Sequence, residues 1–432
     1  MHEDFDRRSF IKVGSIAAFQ WLTLGDALQQ RAQAQTAARR GDDVSVIHLF
    51  LTGGMSQMDT FDPKPASKPE FRSKFQPIAT SVPGVRFTEH LPRLAKLAHK
   101  FTVIRSMTHK TPVHVPACGL ILSGHLALSS ITHPCVGSVV SKELGPRNEL
   151  PAFVAVPGST GYWESAGYLE PRFNPFDAGN PNAATYQVRD LELPLGVDWA
   201  RMDRRRSLLK LADDKFRRYD SQNLIDNMNS YYQTAFGLMQ SERAKKAFLI
   251  GEEPDKLRDH YGRTSLGQGA LLARRLVEAG VRYVTVSRGF NTWDHHGNIF
   301  PSLSETFLPE LDAAFSALLE DLESRGLLQK TLVIVTGEFG RTPEINNLAG
   351  RDHWANAFSL CMAGAGVPGG QVWGETDENG AYVTKDPVEV PDFTATIFDK
   401  LGIDFRKEYV NPIGRPTKLS ADGAKPLRFL YS

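Results

Sequence analysis

Short runs of apolar, largely β-branched residues recur along the chain and stop abruptly at glycine or at charged side chains. They are Val44–Leu51, Phe101–Arg105, Ala152–Val156, Val281–Val286, Thr331–Thr336, 357–362 and Gln371–Trp373. Continuous apolar character, instead of strict alternation, is what a strand buried on both faces requires. Between these runs, Leu91–His99, Val115–Ser123, Leu303–Leu322 and Asp392–Leu401 carry apolar residues at three- to four-residue spacing and predict helices. The block Asp203–Gly280 interleaves Leu208, Leu211, Met228, Leu272 and Leu276 with charge, and predicts a helical insertion at about 200–280 with Arg204–Arg206 on a solvated face. Strands alternating with helices predict an α/β fold: one domain over 44–432, built on a mainly parallel sheet with helices on both faces.

One stretch fits neither pattern. Residues 157–193 are rich in Gly, Pro, Asn and aromatics, and a loop of that length in a compact domain serves as a lid or binding surface more often than as linkage. Tyr162, Trp163, Tyr168, Phe173 and Phe176 either pack this loop down, the favoured reading, or line a substrate cleft.

Composition narrows the function classes. A formal net charge of +1 over 432 residues, with no long block of like charge, gives no field to attract nucleic acid. Cys118, Cys135 and Cys361 are widely spaced in apolar surroundings, which predicts buried free thiols and leaves room for one disulfide. At the N-terminus, Arg7-Arg8-Ser9-Phe10-Ile11-Lys12 precedes a mildly apolar stretch ending near Ala32-Gln33-Ala34. That order resembles a twin-arginine export signal over 1–34, followed by a polar linker at 35–43, against the alternative of an amphipathic helix with a chance Arg pair. Gly14, Gln20 and Asp26 make the stretch too polar for a stable membrane span, so the mature protein is expected outside the cytoplasm, periplasmic or secreted.

Polar clusters follow four of the predicted strands. Gly53-Gly54 turns the chain after the first, ahead of Ser56, Gln57, Asp59, Asp62 and Lys64, which form either a site or a solvated loop. His109, Lys110 and His114 lie where a strand, a loop and a helix N-terminus would receive an anion. Asp294, His295 and His296 follow another strand, and Glu338, Arg341 and His353 follow Thr331–Thr336. Ligands of open α/β sheets lie beyond the carboxyl ends of the strands, so these loops are expected to meet. Asp294 and His296 alternate on an extended segment and, with His353, offer an O,N,N set suited to zinc or another divalent metal.

The order of these loops resembles the alkaline phosphatase and sulfatase superfamily. More closely, Gly53-Gly54-Met55-Ser56-Gln57-Met58-Asp59, Trp293-Asp294-His295-His296-Gly297-Asn298, Gly337-Glu338-Phe339-Gly340-Arg341-Thr342-Pro343 and Gly350-Arg351-Asp352-His353-Trp354 resemble a secreted, sulfatase-like bacterial family of unknown function within it. The resemblance implies an alkaline phosphatase-like fold and an anionic ester substrate, such as a sulfated or phosphorylated glycan. Matched to the working enzymes, the metal-binding Asp after the first strand falls at Gly53, the nucleophile falls near His114, and the late Asp-His pair becomes Glu338-Phe339. One metal half-site is thus kept and the other eroded.

The expectation is an exported metal-dependent hydrolase of phosphate or sulfate esters. Asp294, His296 and His353 bind the ion, Glu338 and Asp59 complete or neighbour the site, His114 is nucleophile or acid/base, and Arg341 with Lys110 holds the anion. The alternative is a catalytically degenerate protein that binds a polysaccharide or a partner protein.

Overall fold

The computed structural model describes residues 43–126, 131–188, 197–216, 232 and 236–431. The predicted export signal and part of the predicted helical block lie outside them.

Strands β1 (Ser45–Phe50), β2 (Phe101–Thr108), β3 (Phe153–Val156), β4 (Phe176–Asp177), β5 (Tyr283–Val286), β6 (Thr331–Thr336), β9 (Phe358–Ala363), β10 (Gln371–Trp373) and β11 (Val388–Glu389) form one sheet. A short hairpin, β7 (Gly340–Arg341) with β8 (His353–Trp354), stands apart from it. The sheet order is β10-β2-β9-β6-β1-β5-β3-β4, with β11 also on β2. Only β9 runs against the others. The carboxyl ends of β1, β2, β5 and β6 therefore open on one rim.

Both faces of the sheet are covered, which is why its strands lack polar alternation. On one face Ile47, Leu49, Val284, Val286, Val333 and Val335 pack under helices α3 (Ser265–Ala279) and α4 (Leu308–Ser324). On the other, Val46, Phe50, Leu332 and Ile334 pack under α1 (His114–Ser123), α2 (Val136–Leu144) and α5 (Val390–Lys400). Local sequence fixes the helix ends: Gly124 ends α1 at φ 75°, and the Thr264 hydroxyl caps α3 by accepting from the Gly267 amide. The predicted helical block holds helices at Trp199–Phe216, Glu242–Phe248, Asp255–Tyr261 and α3, of which Trp199–Phe216 buries no residue. The predicted helix at 303–322 begins with a π-turn at Leu303–Phe307 before α4. Among the described residues no helix is long and apolar enough to cross a membrane, and Cys118, Cys135 and Cys361 are buried free thiols.

In the middle of β1, His48 is buried with its Nδ1 3.2 Å from the Tyr283 hydroxyl. Burial pulls its pKa down to about 3. The folded chain thus refuses a proton that the unfolded chain accepts near pH 6.5, so stability is complete above that value and is lost as pH falls from about 6.5 toward 3. A loss of the order of a few kcal/mol is expected across that window. Unfolding midpoints at pH 7 and pH 4.5 should differ less in His48→Gln than in the wild type.

Candidate metal centre

The site lies on the rim formed by the carboxyl ends of β1, β2, β5 and β6. After β1 the chain turns at Gly53, whose φ of +116° disfavours any side chain. A Cβ there would lie 2.4 Å from the Asp294 amide nitrogen. The close approach lets the Gly53 amide donate to both Glu338 oxygens, at 2.9 and 3.0 Å, while the Gly53 carbonyl accepts from Arg341.

Asp294 is the hub. Its Oδ1 accepts from Arg341 at 2.6 Å and lies 3.0 Å from His296 Nε2 and 3.2 Å from His353 Nε2. Its Oδ2 lies 3.1 Å from His114 Nε2. Burial works to raise its pKa, but His114, His353 and the Arg341 guanidinium beside it outweigh burial and hold the carboxyl far below the usual range. The intervening His295 points away and packs on Phe307, with ring centroids 4.6 Å apart, and burial lowers its pKa to about 4.

Each of the three imidazoles has its Nδ1 on an oxygen. His114 Nδ1 is 2.6 Å from Glu338 Oε1, His296 Nδ1 is 2.6 Å from Asp352 Oδ1, and His353 Nδ1 is 2.9 Å from the Pro112 carbonyl. A carbonyl or carboxylate only accepts, so Nδ1 carries the hydrogen and the Nε2 of each neutral ring is a lone pair. These lone pairs all turn toward Asp294, and those of His296 and His353 are 2.9 Å apart. Such an arrangement of acceptors repels itself unless positive charge sits among them.

A divalent ion fits this requirement. His114, Asp294 and His353 offer donor atoms within 4.8 Å of one another, and buried His114 Nε2 faces Asp294 Oδ2 at 3.1 Å. Donors sharing one ion at about 2.0–2.1 Å are separated by roughly 2.9–3.4 Å, which brackets the 3.1 and 3.2 Å from His114 and His353 Nε2 to Asp294. The same demand for charge shows in His114. Burial favours its neutral form, yet Asp294 and Glu338 together push its pKa up to about 9, so that without an ion a proton on Nε2 supplies the positive charge.

The remaining sequence-predicted residues stand elsewhere. Glu338 is fully buried behind His114, with its oxygens taken by His114 and Gly53, so it orients the His114 ring. Arg341, expected to hold the anion, is fully buried and donates to the Gly53, Gly54, Trp293 and Arg351 carbonyls as well as to Asp294. Asp59 is paired at 2.8 Å with the equally buried Arg351 and does not reach the centre. Lys110 is exposed on the loop between β2 and α1.

Sequence reasoning missed Asp352 and the Pro112 carbonyl. An acid beside a histidine was the available signal for Asp352, whereas a main-chain acceptor leaves no mark in the sequence. Carboxylates that hold a ligating imidazole contribute about 10–100-fold in metal affinity. Asp352 holds His296, which adjoins the ion beside His353, so Asp352→Asn is expected to weaken metal binding at the low end of that range, by about tenfold. Because Asp352 is largely exposed, the thermal midpoint of the metal-free protein should stay put. Calorimetric titration of wild type and variant reads the first effect, and thermal unfolding the second.

No curated protein matches the sequence. Solved structures are similar at low identity. A sulfatase, PsFucS1, from Pseudoalteromonas sp. is 13% identical with a TM-score of 0.37, over 87% of this chain and 72% of that one. The phosphonate monoester hydrolase SpPMH from Silicibacter pomeroyi is 14% identical with a TM-score of 0.37, over 90% and 76%. An alkaline phosphatase superfamily protein from Vibrio parahaemolyticus is 11% identical with a TM-score of 0.37, over 89% and 70%. These similarities are too weak to carry a function. The family model for a protein of unknown function, DUF1501, matches residues 43–430, and the chain belongs to that family.

Proposed function

We propose that the protein is an exported, metal-dependent hydrolase of phosphate or sulfate esters, working in the periplasm or outside the cell. The observation that carries this reading is the set of Nε2 atoms gathered on Asp294, each held there by an oxygen on its Nδ1. His114, Asp294 and His353, with His296 adjoining, would hold the ion, and nitrogen and oxygen donors together favour zinc. Bound there, such an ion would polarise an ester oxygen and acidify water.

The chain's own groups supply the rest. Arg341 fixes the Asp294 carboxylate from beneath, and Glu338 fixes the His114 ring. Among the described residues no serine, threonine or cysteine side chain hydrogen-bonds to His114, Asp294, His296 or His353. That supports water as the nucleophile, in place of a covalent ester on a side chain. His114 is correspondingly assigned to ion binding, since its only free nitrogen faces Asp294. Lys110 is the exposed cation of the same loop and would attract the substrate's anionic group.

Metal-loaded protein should hydrolyse 4-nitrophenyl phosphate or sulfate, and lose that turnover on chelation and in His353→Ala. Stoichiometric metal without turnover of either ester would favour the second reading, a protein that binds a polysaccharide or partner. The full burial of Arg341, which removes an anion-holding group from the site, is the observation on that side.

A further inference from the structure

An aromatic ladder leads from the surface to the metal centre. Tyr162 is 62% exposed and its ring lies 5.1 Å from that of Trp163. Trp163 is buried and lies 5.0 Å from Phe290, which is 42% exposed and meets His114 edge-on at 6.4 Å. The loop is shaped around this contact: a Cβ at Gly161 would lie 2.4 Å from the Trp163 ring. Phe290 sits between β5 and Asp294, so its place beside the centre is set by the strand that positions the hub.

Two large aromatic rings left open to solvent, one of them touching a side chain of the centre, are what a ligand with a flat apolar face would cover. Lone exposed apolar residues need no explanation, but a packed series ending at a reactive centre does.

We propose that Phe290 and Tyr162 form a subsite for the organic part of the substrate, and that this part carries a flat ring. This inference rests on the reading of the centre as an anion-binding metal site. The charged group would lie at the metal centre beside Lys110, with the ring over Phe290. Of the two roles open to the aromatics of 157–193, packing the loop falls to Trp163, Tyr168, Phe173 and Phe176, and Tyr162 takes the cleft.

Binding of benzylphosphonate and methylphosphonate to the metal-loaded protein, measured by calorimetry, tests this without requiring turnover. Benzylphosphonate is expected to bind about tenfold more tightly, within the range of one aromatic contact. That ratio should fall toward one in Phe290→Ala and Tyr162→Ala and persist in Phe290→Tyr, which keeps the ring. Equal affinities in the wild type, or a ratio unchanged in Phe290→Ala, would overturn the subsite alone. Failure of both phosphonates to bind would overturn the subsite together with the anion site beneath it, and hydrolysis of simple esters tells the two failures apart.

Discussion

Asp294→Asn is expected to abolish stoichiometric metal binding and ester hydrolysis together. The substitution preserves size and removes the charge shared by every group of the centre: His114, His296, His353 and Arg341 all lie within 3.2 Å of its two oxygens. An amide is a far poorer ligand for a divalent ion than a carboxylate, and its nitrogen would compete for the lone pairs now turned toward it. Affinity for the ion should fall by more than about a hundredfold, beyond what loss of an outer carboxylate costs. Arg341 would lose its carboxylate contact while keeping its carbonyl acceptors, so the metal-free chain should lose about 1–3 kcal/mol. Metal content after reconstitution, with urea unfolding of the metal-free form, reads both effects. Full metal content in the variant would remove Asp294 from the centre.

Asp59→Ala is expected to do the opposite: a large loss of stability with the metal site retained. Asp59 and Arg351 are both fully buried, and their contacts of 2.8 and 3.3 Å join the loop after β1 to the loop that carries His353. Arg351 also donates to the Thr342, Pro343 and Phe71 carbonyls, so it cannot swing out to water when its partner is removed. A buried charge left alone costs about 3–5 kcal/mol. Urea midpoints compared at neutral pH measure that cost. At low temperature, where the variant stays folded, it should still bind metal, which separates a structural Asp59 from the metal-neighbouring role its sequence position suggests.

The contrast between these two acids shows what was legible in the chain. Continuous apolar runs marked the strands because burial on both faces leaves no alternative pattern, and Thr331–Thr336 was bounded to the residue. The rim was legible too, since polar clusters after β2, β5 and β6 could only lie at strand ends. Asp294, His296 and His353 were visible as a donor set from side-chain chemistry alone. Which neighbouring charges face that set was not. Arg341 reads as the cation that holds the substrate anion and Arg351 carries no reading of its own, yet both are fully buried, because turns after β1, β5 and β6 leave the Gly53, Gly54, Trp293, Thr342 and Pro343 carbonyls for guanidinium groups to satisfy. The direction of β9 also escaped the reading, since a buried run is identical in either orientation.

The most direct measurement is an anomalous diffraction map from crystals soaked in zinc. A single strong peak bonded to His114 Nε2, Asp294 and His353 Nε2 is expected, with Glu338 outside bonding range. A map without a peak there, or with the ion held by Glu338 or Asp59, would contradict the assignment of this centre.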